Sequence, residues 1–253
     1  MSAVESRLTG LGSIFRREFR GYFASPLGYI FVVIFLIASN WLALSRDFGR
    51  FLELREATMT PLFTYMPWLF VVLVPAVAMR LWAEERKSGT VELLFTLPVT
   101  LEGAYLGKFL AGWTFLAFSL LLTTPFALQV ARLGDPDWGT IVAGYLGCLL
   151  LAAAFLAIGM LFSALTDNQV VAFILGTAVS MLFLVAGLPQ SQQALGATFG
   201  AYPEELLASL SIIDHFDAFT HGLVPLGSLA FFVLFTAGWL AGGMLVLDRT
   251  KNA

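Results

Sequence analysis

Two histidines and two aspartates lie close together near the C-terminal end of the chain. His215, His221, Asp214 and Asp217 are side chains of the kind that bind zinc or copper. The cluster lacks the tight ligand spacing of a specific metal site. We therefore interpret these residues as part of a polar loop at a membrane interface and predict no bound metal.

A second segment is similar to a phosphate-binding loop. Residues 103–109 carry two glycines followed by Lys108, as in the G-x-x-x-x-G-K-[ST] loop that binds nucleotide phosphates. The spacing is one residue short, and Phe109 stands where a hydroxyl would bind magnesium. No nucleophile paired with a base is evident elsewhere. The sequence predicts no catalytic residue, no cofactor and no nucleotide-hydrolysing site.

The composition places the chain in a membrane. Of its 253 residues, 58% are hydrophobic and 12% charged, and the mean hydropathy is +0.84. Soluble domains have about 25% charged residues, so this chain has too little polar surface to cover a water-exposed globule. No basic stripe suits a nucleic acid. Cys148 is the only cysteine, which excludes an intrachain disulfide and is typical of a buried packing residue.

Six apolar stretches are long enough to cross a bilayer as helices. They cover about 27–44, 61–82, 109–130, 139–165, 170–188 and 226–247. We expect one all-α polytopic membrane domain over 1–253, with an uncleaved first span, because no small-x-small cleavage site follows it. The core of each stretch lacks ionisable residues. Proton-coupled transport and a polar ion channel are therefore disfavoured.

Basic residues are concentrated on one side of the predicted spans. They precede span one, separate spans two and three, and follow span six: Arg7, Arg16, Arg17, Arg20, Arg80, Arg86, Lys87, Lys108, Arg249 and Lys251. The other basic residues are Arg46, Arg50, Arg55 and Arg132. The segment 189–225 has none and carries Glu204, Glu205, Asp214 and Asp217. The positive-inside rule then predicts that both termini are cytoplasmic.

The residues before the first span form an amphipathic pattern. From Ser13 to Ser25, Phe15, Phe19, Tyr22 and Phe23 recur at helical spacing, while the arginines lie largely on another face. Such a helix lies in the headgroup plane with its aromatic side chains in lipid. The alternative is a basic anchor without helical order.

The connector between spans two and three, residues 80–108, is the most polar part of the chain. We expect a helix that ends at Ser88-Gly89, where glycine accepts the left-handed conformation. A second short helix could start at Thr90, with Glu92 in its first turn, and end at Pro98.

Three other segments complete the prediction. Residues 166–169 form a tight turn, and the segment 189–225 dips back against the bundle, with a short helix from Pro203 over Leu206 to Ile213. Small residues recur every four positions at Gly238 and Gly242, and at Ala172, Gly176 and Ser180. These stripes fit either a dimer seam or packing within one subunit.

The connector also resembles a known signature. The run Glu84-Glu85-Arg86-Lys87-Ser88-Gly89-Thr90, followed by Glu92-Leu93-Leu94 and Leu97-Pro98, is similar to that of permease subunits of type-2 ABC exporters. With the runs at 19–26, 133–138 and 165–169, the chain resembles the gliding-motility-associated branch of that family.

The resemblance implies a bacterial inner-membrane permease that pairs with a second copy or a paralogue, docks on a separate cytoplasmic ABC ATPase and has a possible accessory membrane subunit. It implies that ATPase coupling is made by Glu84, Glu85, Arg86, Lys87, Ser88, Gly89, Thr90 and Glu92. It implies an interfacial elbow helix carrying Phe15, Arg16, Arg17, Phe19 and Arg20, and a re-entrant outer segment before span six.

Two other functions remain open from the residues. The chain could be an ATPase-linked membrane scaffold in motility or envelope assembly, with no cargo crossing. A membrane-embedded enzyme is the third alternative, and it lacks a polar cluster at membrane depth. Neither the residues nor the resemblance identifies a cargo.

Overall fold

The structure is a computed structural model that describes residues 10–54, 56–91, 99–193 and 210–251. All regular structure in these ranges is helical. The helices are α1 (Leu11–Ala24), α2 (Pro26–Leu44), α3 (Phe51–Leu54), α4 (Thr60–Ala78), α5 (Arg80–Lys87), α6 (Leu101–Leu121), α7 (Thr124–Leu133), α8 (Trp138–Leu165), α9 (Gln169–Ala186), α10 (Ile212–Thr220) and α11 (Leu226–Lys251).

Six helical stretches are long and apolar enough to cross a membrane, as the sequence predicted. They are Pro26–Leu44, Thr60–Lys87, Leu101–Leu133, Trp138–Leu165, Gln169–Ala186 and Leu226–Arg249. The second includes α4 and α5, and the third includes α6 and α7. An all-α polytopic membrane protein is therefore confirmed.

The third span differs from its predicted bounds. It begins at Leu101 rather than at Phe109, because Thr100 caps the helix by accepting a hydrogen bond from Gly103 N at 3.1 Å. Lys108 consequently lies inside a helix and is buried, whereas we had assigned it to the connector. The same continuous helix covers residues 103–109, so no phosphate-binding loop forms there.

Helix α8 is the centre of the bundle. It packs against α4, α9, α10 and α11, and most of its residues are buried. Glycines form notches in its surface: a Cβ at Gly144 would collide with the Phe63 ring, and one at Gly147 would come within 2.7 Å of Phe219 Cβ. Aromatic rings from α4 and α10 fill these notches.

Helix α4 contains two prolines within its length. Pro67 and Pro75 are both buried among other helices. Neither residue has an N–H to donate to the carbonyl four positions earlier. The helix continues past both, because its buried neighbours hold it in place.

The two small-residue stripes have different environments. Ala172, Gly176 and Ser180 are buried in α9, where a Cβ on Gly176 would meet Pro75 Cβ at 3.4 Å. That stripe packs within the subunit. Gly238 in α11 instead faces open space, with no atom within 4 Å of an added Cβ.

The segment before span six contains a helix that begins where the predicted one was expected to end. Residues 194–209, including most of the predicted helix, lie outside the described residues. Ile212 and Ile213 start α10 rather than ending a helix, because Ser211 Oγ accepts from Asp214 N at 3.0 Å and caps it. Phe216 and Phe219 of α10 are buried, so this helix packs against the bundle.

Candidate functional site

Helix α5 is joined to α8 by one serine side chain. The backbone N–H groups of Trp82 and Ala83 each donate to Ser163 Oγ at 3.0 Å, and that hydroxyl donates to Met79 O at 2.9 Å. The first turn of a helix has backbone N–H groups without helical partners. Ser163 therefore caps α5 from a neighbouring helix rather than from the residue before it.

Two further contacts hold the body of α5 against the bundle. Arg86 Nη1 donates to the carbonyl of Ala164 at 2.8 Å, and Leu81 and Trp82 are buried. The guanidinium thus donates a hydrogen bond to one of the last carbonyls of α8. A cation is favourable at this position because the C-terminus of a helix carries partial negative charge. The connector helix is a fixed part of the bundle.

The tip of the connector, residues 87–90, is exposed. As predicted, α5 ends at Ser88-Gly89, with Gly89 at φ 70°. Ser88 Oγ donates to Glu84 O at 2.9 Å and lies 2.9 Å from Thr90 Oγ1. Thr90 and Val91 are helical, whereas Glu92 and the rest of the predicted second helix lie outside the described residues.

A buried lysine connects three helices near α5. Lys108 Nζ of α6 lies 3.0 Å from Glu18 Oε1 of α1 and 2.9 Å from Glu85 Oε1 of α5. Arg17 Nη2 contacts the same two oxygens, at 2.7 Å and 2.9 Å. We call these four residues the ion-pair junction. It places two cations against two carboxylates, so its charges balance.

The junction changes the titration of Glu18. Burial alone would raise the pKa of this carboxyl, but the charge of Lys108 and hydrogen bonds from Arg17 and Lys108 outweigh burial. The pKa of Glu18 therefore lies below its ordinary value, and the carboxylate is ionised at neutral pH.

The position of α1 partly corrects the sequence interpretation. The helix forms over the predicted residues, but its aromatic face does not all face lipid. Tyr22 stacks on Phe115 with ring centroids 4.5 Å apart, and Phe23 packs edge-on against Phe118 at 5.4 Å. These rings face α6 because α1 lies along that helix. Arg16, Arg17 and Arg20 are exposed, as the pattern predicted.

The structure describes seven of the eight predicted coupling residues and divides them into three sets. Lys87, Ser88, Gly89 and Thr90 form the exposed tip. Glu85 and Arg86 face inward, where they bind Lys108 and Ala164, and Glu84 is exposed and pairs with Arg80 at 3.2 Å. Sequence reasoning missed Glu18 and misplaced Lys108. A lone lysine inside a run of helix-forming apolar residues was the available signal.

The histidine cluster is divided between two environments. His215 Nδ1 lies 3.0 Å from Ser228 Oγ, and its ring stacks on Phe231 at 4.2 Å. His221 is exposed and lies 3.4 Å from Asp217. Within the described ranges, no three His, Cys, Asp or Glu side chains converge to hold a metal ion.

Comparison with known proteins gives one family match. The sequence model of the ABC-2 family transporter proteins matches residues 46–191, which include the connector, its exposed tip and Lys108. No curated protein matches the chain.

Proposed function

Because the chain belongs to the ABC-2 transporter family, we propose that it is the permease subunit of an ATP-driven exporter whose force enters through the connector. An ABC-2 permease is the membrane component of an ABC transporter, and ATP hydrolysis takes place on a separate subunit. The finer assignment, to the gliding-motility-associated branch, rests on the runs at 19–26, 84–98, 133–138 and 165–169.

The single observation that carries the proposal is the contrast between the exposed tip and the fixed body of α5. Mechanical coupling needs a stiff contact between the part that is pushed and the part that moves. Ser163 and the carbonyl of Ala164 fix the body of α5 to the central helix, while residues 87–90 remain accessible. Closure of an ATPase against the tip would therefore move α8 with the connector.

We assign different roles to the coupling residues. Lys87, Ser88, Gly89 and Thr90 form the docking surface, and Glu92, which lies outside the described residues, is assigned to it from the family resemblance alone. Glu85 and Arg86 transmit the load, since both bind inside the bundle. Glu84 stands at the edge of the docking surface, and its pair with Arg80 keeps it against the first turn of α5.

Helix α1 acts in this proposal as an interfacial elbow helix. Arg16 and Arg20 face outward and suit lipid phosphates, with Phe15 and Phe19 stacked on each other at 5.8 Å beside them. Arg17 and Glu18 link this helix to the connector. A load on the connector would then also reach the membrane surface.

The assembly follows from the family. We propose that two copies, or this chain and a paralogue, pair in a bacterial inner membrane with both termini cytoplasmic, as the basic residues indicate. An accessory membrane subunit fits the gliding-motility branch. The outward face of α11 at Gly238 is available for helix contacts between subunits, whereas Gly242 of the same stripe packs against Leu161.

A charge reversal at the tip tests the docking surface. The chain is co-expressed with candidate ABC ATPases of the same genome, and we expect Lys87→Glu to reduce the co-purified ATPase at least about tenfold. Arg249→Glu is the matched control, because it reverses an exposed charge that belongs to α11 and not to the connector. Wild-type recovery of the ATPase by Lys87→Glu would contradict the assignment of the tip.

Transport is tested in vesicles containing the chain and its ATPase. ATP-dependent movement of a candidate cargo, lost in Lys87→Glu, is the expected result. If docking occurs and no tested cargo moves, the scaffold function is favoured instead.

A further inference from the structure

An apolar groove on the surface of the bundle leads into a small polar cavity. The groove lies between α2 and α4 and is lined by Ile30, Ile34, Leu73, Ala76 and Val77, with a volume of about 210 Å³. Its length along α2 and α4 is about 10 Å. It meets a second cavity of about 120 Å³ at Tyr22, Gly28 and Arg80, which line both.

The polar cavity contains charges of both signs. Glu18, Arg80 and Glu84 line it. Arg80 Nε binds Glu84 Oε2 at 3.2 Å, and a guanidinium has five N–H donors, so the same group can also donate to phosphate oxygens. The two carboxylates offer acceptors to a cation. A ligand with a phosphate next to a small cationic group matches this arrangement.

The joined cavities therefore match an amphiphile with an apolar tail and a zwitterionic head. We propose that they bind one molecule of a phosphatidylethanolamine-type lipid, with an acyl chain along Ile34 and Ala76, the phosphate at Arg80 and the ammonium at Glu84 and Glu18. An anionic headgroup has no ammonium to bind Glu84 and the second oxygen of Glu18, whose Oε1 already binds Lys108 and Arg17. A choline headgroup has the charge but no N–H to donate.

Close packing at Gly28 shapes the passage between the two cavities. A Cβ at Gly28 would collide with the carbonyl of Tyr22, so only glycine lets α1 and α2 approach this closely. The passage lies where α1 turns into the first span. The lipid would thus contact both helices and α4 at once.

Lipid titration followed by native mass spectrometry tests the site on the purified full-length chain. Phosphatidylethanolamine, phosphatidylglycerol and phosphatidylcholine with identical acyl chains are compared. We expect the ethanolamine lipid to bind about tenfold more tightly than the other two. The difference corresponds to one charge-assisted hydrogen bond from its ammonium to a carboxylate of the site. Equal binding of the three lipids would overturn the proposal.

Variants distinguish headgroup recognition from general lipid contact. Glu84→Gln should reduce the preference for ethanolamine over choline to less than about threefold, and Arg80→Gln should weaken both lipids. Asp248→Asn, an exposed carboxylate elsewhere on the bundle, is the control. Unchanged selectivity in Glu84→Gln, or the same loss in Asp248→Asn, would refute the assignment.

The apolar part of the site has its own test. Ala76→Phe fills the groove and should abolish binding of all three lipids, whereas Val72→Phe, which adds the same ring to an exposed position of α4, should not. Ile34→Trp fills the groove from α2 if Ala76→Phe fails to fold. Wild-type binding by a folded groove-filling variant would overturn the site. No ATPase is present, so failure here leaves the docking proposal untouched.

Discussion

The two ends of α8 are held by different kinds of contact. Near Leu165, a serine hydroxyl, an arginine and the adjacent ion-pair junction join α8, α5, α6 and α1 through hydrogen bonds and charges. Near Trp138, Gly144 and Gly147 receive the rings of Phe63 and Phe219. Gly159 also packs closely on Ala78 near Leu165, and Tyr145 lies 2.8 Å from the Thr123 hydroxyl near Trp138. The two ends therefore differ in charge: the contacts of charged side chains lie at the Leu165 end, and the contacts near Trp138 are mainly apolar.

This difference has a mechanical meaning. A hydrogen bond or ion pair is directional, so it transmits a change of position and can also exchange partners. Interlocked rings and glycines resist sliding because packed atoms cannot overlap. In the proposed coupling, the end next to the connector is therefore suited to receive a load, and the far end is suited to hold the bundle together while the load is applied.

The largest expected effect is at Lys108. Replacement by alanine leaves the exposed Arg17 as the one remaining cation of the junction against Glu18 and Glu85. This should cost about 3 kcal/mol of unfolding free energy, the lower end of the range for breaking a buried ion pair. Unfolding in mixed micelles measures the loss, and protease cleavage of α1 shows whether that helix detaches. Lys87→Ala at the exposed tip is the control and should stay within about 0.5 kcal/mol of wild type. A similar stability of the two variants would show that the junction does not hold these helices.

A smaller effect is expected at the other end of α8. Gly144→Ala places a methyl group against the Phe63 ring and should cost about 1–3 kcal/mol, since overpacking forces the neighbours to move. Gly238→Ala adds the same methyl to open space and should be neutral or stabilising by up to about 1 kcal/mol. Thermal unfolding of both variants separates the two cases. An equal loss in Gly238→Ala would contradict the notch assignment, because that position offers open space and alanine has the higher helix propensity.

The smallest effect is a pH dependence of the junction. The pKa of Glu18 is lowered on folding, so its contribution is complete above the ordinary glutamate value of about 4.3 and is lost as pH falls through the lowered pKa. The difference in Tm between wild type and Glu18→Gln should be constant from pH 7 to about 5 and shrink below about 4.3.

A second carboxyl with a lowered pKa, that of Asp137 at the start of α8, does not affect this comparison. Asp137 caps α8, and the hydroxyl of Thr140 with the N–H groups of Gly139 and Thr140 lowers the pKa of its carboxyl. Because Asp137 is present in wild type and in Glu18→Gln, its titration cancels in the difference. A difference in Tm that grows as pH falls would contradict the ion-pair assignment.

The sequence was informative where the signal is local. Apolar runs located six spans, and Ser88-Gly89 located the end of α5. The family resemblance supplied the connector as the region of interest, and the family match includes it.

The junction and the Ser163 cap were not predictable in the same way. Glu18 and Lys108 are 90 residues apart, and Ser163 lies 81 residues from Trp82. Nothing in the local sequence specifies which distant partner a charged or hydroxyl side chain will meet. The start of the third span was misplaced for a related reason. The sequence interpretation placed Lys108 outside the membrane helix because lysine is usually solvent-exposed, whereas pairing with two carboxylates allows it to be buried.

The two prolines of α4 affect how this helix deforms. Pro67 and Pro75 remove the helical hydrogen bonds to the carbonyls of Phe63 and Val71. A helix that lacks these two hydrogen bonds bends most easily at the two prolines. In the proposed docking, a push at Lys87 would then reach Thr60 mainly as a change in the tilt of the helix.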